Sequence, residues 1–482
     1  MIRAHLTLLL AAPCLAFATL EAQSVVAIRG ATVIDGTGAA PQADQTVVVK
    51  GERILAVGPS ASIAVPPGAR MIDGAGRFII PGLIDMHAHY GLGAVTVDTT
   101  AKGVPIGMHV IPDHDGAVDA FQTLLAFGVT TIRNPGGPLP MMVALRDSVR
   151  LGLRTGPRIF TAGEVIDATS SEGLTVGVKT EEDIRREVAR QAALGVDYVK
   201  LYAGLGPVLV RAGIDEAHKR GVRAIGHLFL TTWTDAANTG IDGIVHIVPG
   251  SAQLLPQERR LEFQRRFRGT QFMIEWFNYV DLQSAETRTM LDALVRHNVF
   301  LDPTLVIFEA MVWGDSARIT QNRDLVYAPP MNLANWRGGF VLTTGWKPED
   351  FTEARRAWPN VLGFTKALYD GGVQLTVGTD MLNPWVSPGA SLHRELELLV
   401  SAGIPPIDVL RMATRNGARS LGIESEVGTI AVGKIADLVM LSADPIADIR
   451  NTRQIDWVMQ GGKLSRPADL LPPRLRADHR AH

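Results

Sequence analysis

The chain has 482 residues, 46% of them apolar, a formal net charge of −2 and a single cysteine. That is enough for one large domain with a smaller one, or for roughly two or three ordinary domains with full cores. No sustained Lys/Arg stripe is present, which excludes nucleic acid as an expected partner.

The first residues, Met-Ile-Arg-Ala-His, lead into a run over 6–20 that is apolar apart from Thr7 and Thr19. A basic start, a short apolar stretch and a small-residue exit near Ala22 describe an export signal over 1–22. A membrane span would need about 20 apolar residues. The mature chain is therefore expected in the periplasm or outside the cell, without stable membrane insertion; an uncleaved anchor is the alternative. Cys14 lies inside this run, so the mature protein has no thiol for disulfides or nucleophilic catalysis.

From 23 to 80 the pattern is strand-like: Val25-Val-Ala-Ile, Thr46-Val-Val-Val, Ile54-Leu-Ala-Val and Arg77-Phe-Ile-Ile, each punctuated by Gly, Pro or Asp. The texture returns over 426–465, in Ala436-Asp-Leu-Val-Met-Leu and Asp456-Trp-Val-Met, and residues 466–482 read as a tail. Between them, over 81–425, strands alternate with helices. Thr180-Glu-Glu-Asp predicts a helix start, Ile184, Val188 and Ala192 repeat every fourth residue, and Gly195 ends the element before a buried strand over 196–203. The alternation recurs at 129–133, 223–228, 243–248, 300–306 and 373–378, which favours an α/β barrel or a doubly wound sheet. Gly36-Thr-Gly38 lacks the third glycine and following helix of a dinucleotide site. The rhythm breaks over 309–359, where Trp313, Trp336, Trp346 and Trp358 cluster. So long a connection reads as a lid insertion, and its tryptophans suggest a bulky or aromatic substrate.

His87 and His89, in Leu83-Ile-Asp-Met-His-Ala-His-Tyr, are two apart and share one face of a strand. Neutral imidazoles so placed suit Zn2+, which takes nitrogen at roughly 2.0–2.1 Å. His227, His246 and Asp380 each close a predicted strand, the end at which barrel active sites are assembled. Lys200 lies on a strand face with Val196, Tyr198 and Tyr202, where an unpaired ammonium would be costly. A structural ion pair, a Schiff-base lysine and a CO2-derived carbamate bridging two metals are the three readings of it. Tyr90, Tyr202 and His393 are candidate substrate contacts.

Taken in order, Ala31-Thr-Val-Ile-Asp-Gly-Thr-Gly, Pro81-Gly-Leu-Ile-Asp-Met-His-Ala-His, Gly128-Val-Thr-Thr, Gly378-Thr-Asp, Ala413-Thr-Arg-Asn-Gly-Ala and Gly428-Thr-Ile-Ala-Val-Gly-Lys-Ile-Ala-Asp-Leu-Val resemble the amidohydrolase superfamily. The resemblance is to its two-metal members with a carboxylated lysine, the prolidase-like and ochratoxinase-like enzymes, related also to imidazolonepropionase. It implies a (β/α)8 TIM barrel with a small β-sandwich formed by both chain ends. It also implies two divalent ions, Zn2+ being the one expected: His87, His89 and Asp380 at the buried ion, His227 and His246 at the exposed one, and a Lys200 carbamate between them. Asp380 would carry the proton of an amide hydrolysis, on a small-molecule substrate such as an N-acyl amino acid or dipeptide.

Two stretches depart from the prolidase-like pattern. Asp167-Ala-Thr-Ser-Ser-Glu-Gly has no histidine, and Arg133-Asn134-Pro135 stands where relatives often have Arg-Asp. Rival readings are a single-metal deaminase or cyclic-amide hydrolase, a lactonase or phosphotriesterase-type enzyme, a Schiff-base lyase and a non-catalytic binding protein. Against the first, Leu230 occupies the place where those relatives often carry a glutamate. The sequence leaves a homo-oligomer open.

Overall fold

The computed structural model describes residues 25–99, 105–266 and 269–476; the expected export signal lies outside them. Strands Leu83–Asp85, Val129–Asn134 and Arg158–Thr161 form a three-stranded parallel sheet. A second, seven-stranded sheet is parallel throughout. It includes Tyr198–Leu201, Arg223–Gly226, Gly243–Val245, Phe300–Asp302 and Gln374–Leu375. Parallel bridges join the two sheets at either side, Ala162 with Tyr198 and Ala88 with Met381. The Met86 amide also donates to the Val377 carbonyl at 2.8 Å.

Helices follow the strands and cover the sheets. The helix Glu181–Ala193 starts as the sequence predicts: the Thr180 side chain accepts from the Asp183 amide, and the Asp183 carboxylate accepts from the Thr180 amide. Two orphan N–H groups are thereby satisfied, and Ile184 and Val188 face the core. The strands are buried on both faces, as expected of parallel strands covered on both sides, with polar residues such as Arg133 and Lys200 set among apolar ones.

Both chain ends meet in one mixed eight-stranded sheet. Strand Phe78–Pro81 pairs antiparallel with Leu438–Leu441, and Val25–Val33 pairs with Gln42–Lys50. Its own apolar cluster includes Val26, Ile28, Val47, Ile79, Leu438 and Met459. Local strand patterning therefore appears twice in the sequence because its two halves fold together.

A hairpin absent from the sequence reading, Leu92–Thr99 with Pro105–Pro112, follows the His-x-His strand. The 309–359 interval packs against it. Asn335 takes the place of a strand partner, accepting from the Val95 amide and donating to the Val95 carbonyl, both at 2.9 Å, while Asn332 donates to the carbonyls of Leu92 and Gly93. The interval is helical, with Pro330–Arg337 and the start of Pro348–Asp370. Trp336 and Trp358 are buried, and Trp313 packs edge-on against Trp358 at 5.4 Å. Among the described residues no helix is long and apolar enough to cross a membrane.

Candidate metal centre

The short strand Leu83–Asp85 ends just before the histidine pair. Asp85 anchors that end: its buried carboxylate accepts from the amides of His87 and Thr379 and from the Thr379 hydroxyl, tying the first strand to the segment carrying Asp380. Gly378 permits the approach, because a Cβ there would lie 2.7 Å from His87 Cβ. As a result His87 Nε2 and His89 Nε2 each lie 3.3 Å from Asp380 Oδ1. The ligand atoms of these three residues all fall within 4.8 Å of one another, so the trio could hold one metal ion.

The other ring nitrogens are held from behind. His87 Nδ1 pairs with Asp302 Oδ2 at 2.8 Å, and Arg133 donates to Asp302 Oδ1 at 2.6 Å. His89 Nδ1 lies 2.9 Å from the Gly136 carbonyl. Partners of this kind fix the tautomer, leaving Nε2 unprotonated with its lone pair free for a metal. Asp302 and Arg133 as a buried pair were missed by the sequence reading, which ran the strand on to 306; the one signal available was Pro303 directly after a carboxylate, where the structure ends the strand.

His227 and His246 lie in the same cavity, outside the tight trio. The His87 and His246 ring centroids are 4.5 Å apart, those of His227 and His246 4.4 Å. His246 Nδ1 meets the Thr304 hydroxyl at 2.8 Å. Both His227 ring nitrogens are buried without a hydrogen-bond partner. Burying two unsatisfied polar atoms on one ring is expensive, roughly 1–3 kcal/mol each, so this orphaned imidazole fits a metal ligand better than a packing residue. Burial, with the nearby Lys200 charge, holds His227 well below the usual histidine range, so it is neutral as a ligand must be. His246 is lowered in the same way, by burial and then by the neighbouring imidazoles.

Lys200 Nζ lies 3.5 Å from His87 Nε2 and 5.6 Å from the Tyr202 ring centroid. Among the described residues no carboxylate lies within salt-bridge distance of it, and the charges of Asp380 and Asp302 nearby favour its protonated form. Burial pushes its ammonium down to about 8. Asp380 is the reverse case: burial alone would raise it, but the charge and hydrogen bonds of His87, with His89, hold it well below the ordinary carboxylate range.

Backbone conformation adds to the picture. His246, Thr304 and Asp380 have φ of 70°, 52° and 61°, the left-handed region that L side chains rarely adopt. Such residues cost about 1–3 kcal/mol each and cluster where the surrounding structure over-determines a functional geometry. The Glu395 carboxylate supplies part of that constraint, accepting from the amides of Leu305 and Val306 directly after Thr304.

The cavity of about 150 Å3 above these groups is also lined by Tyr202, whose ring meets His227 edge-on at 4.9 Å. Tyr90 and His393 are corrected. Tyr90 is buried against Phe121 and donates to the Met142 carbonyl. His393 is buried elsewhere, with Nδ1 on the Thr452 hydroxyl and Nε2 on the Phe127 carbonyl. Both are fully engaged in packing. No tryptophan of the 309–359 interval lines the cavity; Ile307, Phe308, Met311 and Leu342 do. Tyr327 and Trp336 pack that interval against Phe127 and Trp385, while Trp313 pairs with Trp358 and Trp346 with Phe351 inside it.

A family model described as "Amidohydrolase family" matches residues 78–465. The chain belongs to the amidohydrolase family. An adenine deaminase of Rubrobacter xylanophilus is 37% identical over 42% of this chain and 32% of its own length. An imidazolonepropionase of Rhizobium rhizogenes is 24% identical over 89% of this chain and 92% of its own. Across the first curated relatives, the chain spans between 32% and 52% of their length. Among solved structures, a Xaa-Pro dipeptidase with bound methionine superposes with a TM-score of 0.67 at 20% identity, over 92% of this chain and 100% of that one. That likeness shows an α/β fold of the TIM-barrel type shared within the amidohydrolase family.

Proposed function

We propose that the chain is a metal-dependent amidohydrolase that splits an amide (C–N) bond of a small molecule, N-acyl amino acids and dipeptides being the first substrates to assay. The observation that carries this is His227, with two buried orphan nitrogens, facing the cavity floor formed by His89, Lys200, His246 and Asp380. In this reading His87, His89 and Asp380 would hold one divalent ion and His227 and His246 a second, with Zn2+ expected at both. Lys200 would be the further oxygen ligand to these ions if its neutral amine added CO2, releasing one proton and leaving a carbamate.

When bound, such ions supply Lewis acidity to the carbonyl and make water a better nucleophile near neutral pH. The chain's own residues do the rest. Asp380, ionised in its buried setting, takes the proton of the attacking water and delivers it to the leaving nitrogen as the C–N bond breaks. Asn383 donates to Asp380 Oδ1 at 2.8 Å and fixes the carboxylate's orientation. Asp302, as an acceptor, holds His87 in the required tautomer, and Thr304 orients the His246 ring. Tyr202, on the cavity wall, is the candidate donor to a polar group of the substrate.

The two joined parallel sheets are read as one closed (β/α)8 barrel over 81–425, and the mixed sheet of both chain ends as the small sandwich over 23–80 and 426–465. Residues 309–359 are read as a lid insertion held by its asparagine clamp, 466–482 as a tail, and 1–22 as the export signal of a periplasmic or extracellular protein.

A single-metal deaminase or cyclic-amide hydrolase is the second reading, favoured by one observation: only His87, His89 and Asp380 meet as a compact ligand cluster among the described residues. The test is a hydrolysis screen of the metal-loaded chain over N-acyl amino acids, dipeptides, lactones and phosphotriesters. Amide turnover that stops on chelation and returns with metal supports the proposal. Turnover of lactones or phosphotriesters alone would overturn the amide assignment.

A further inference from the structure

The walls of the cavity differ in chemistry from its floor. Ile307 and Met311 lie one turn apart on the helix Leu305–Val312 and line the cavity with Phe308. Leu174, Met273 and Leu342 close it from three other segments. Phe308 ties wall to floor, its ring edge-on to His246 at 6.2 Å. Of the polar wall side chains, Thr175 is engaged with the Thr169 carbonyl and Asn383 with Asp380, and Tyr202 offers one neutral hydroxyl. Lys200 is the one cationic side chain among the described lining residues, and it lies beside His87 at the floor.

A substrate carboxylate placed on these walls, away from the floor, would meet methyl, thioether and phenyl groups, with the Tyr202 hydroxyl as a single neutral donor and no cationic side chain. Losing its hydration there costs several kcal/mol without a paired cation. An aliphatic chain gains from the same surface, and the unbranched thioethers of Met273 and Met311 adapt to chains of different shape.

We propose that the substrate is an uncharged amide bearing an aliphatic group of several carbons, seated against Ile307, Phe308, Met311 and Met273, with no free carboxylate beside the bond that is cut. This rests on the amidohydrolase reading of the floor and narrows its substrate class away from dipeptides and N-acyl amino acids.

The test uses the metal-loaded full chain and a matched pair: N-hexanoyl-leucine, and N-hexanoyl-isopentylamine, which is the same molecule without its carboxylate. Binding is read by calorimetry and turnover by amine release. The neutral compound is expected to have a kcat/KM at least about tenfold higher. Among neutral amides from acetyl to hexanoyl, kcat/KM should rise roughly threefold to fourfold per added methylene, the gain expected for burying a CH2. Leu342→Arg, at the partly exposed rim, should narrow the gap by improving the carboxylate compound, and Met311→Gln should flatten the chain-length dependence. Equal or better turnover of the carboxylate compound overturns the proposal and leaves the amidohydrolase reading intact. Chain-length-dependent binding of the neutral compound without turnover sustains the pocket assignment and overturns the reaction. Binding of neither compound overturns the pocket assignment.

Discussion

The floor and the walls of this cavity are built from different kinds of sequence. The floor comes from strand ends: His87, His89, Lys200, His227, His246 and Asp380 sit at or beside the C-terminal ends of short parallel strands, buried and braced by Asp85, Asp302, Thr304 and Asn383. The walls come from a helix and loops far apart in the chain, and are held mainly by packing and by the Asn332 and Asn335 clamp. Rigid strand ends fix chemistry to within tenths of an ångström, while loops and inserted helices can change substrate preference without moving a ligand.

The contrast can be broken first at the floor. Asp380→Asn is expected to lower kcat by about 10²–10⁴, the usual share of a positioned proton carrier, with the chain still folded by circular dichroism. Asp302→Asn tests the brace behind His87. It should weaken metal retention about 10–100-fold in a chelator competition. It should also lower the unfolding free energy by about 3–5 kcal/mol, because Arg133 keeps its buried charge without a partner.

Effects should be smaller where the brace is remote. Glu395 is pushed up to about 8 by burial, against the donated amides of Leu305 and Val306, from an ordinary value of 4.5. A carboxyl raised in this way contributes stability that is full below about 4.5 and is lost as pH rises through about 8. Denaturant unfolding should thus show stability falling between those limits, and Glu395→Gln should flatten that slope. A slope unchanged in the variant would place the titration elsewhere. The smallest effect on chemistry is expected at His393. Its replacement by alanine should cost about 1–3 kcal/mol of stability through lost buried hydrogen bonds and leave kcat unchanged, since it touches no cavity residue. A large fall in kcat would blur the boundary between site and scaffold.

Much of the floor was legible in the sequence because its constraints are local. His-x-His places two imidazoles on one strand face, a lysine inside an apolar strand demands a partner, and Thr180 with Asp183 announces a helix start. The braces were not legible, since Asp302 and Arg133 come from strands 169 positions apart and meet only in the folded sheet. The walls were misread for a related reason. Tryptophans crowded into one stretch look like a binding surface, yet a large apolar ring is worth most when fully buried, and Trp336 and Trp358 are spent on packing. Tyr90 was misplaced although alternation argued against it: next to His89, its side chain points away from the cavity into the core, toward Phe121 and the Met142 carbonyl.

The central claim is a two-metal floor bridged by Lys200, and metal content with activity tests it most directly. Metal analysis of the chain after exhaustive dialysis should give close to two divalent ions per chain. Lys200→Ala should lose metal and activity together, with partial recovery of both on adding a short-chain carboxylate to replace the bridging oxygens. Close to one ion per chain in the unaltered protein, or full activity in Lys200→Ala, would contradict the two-metal account.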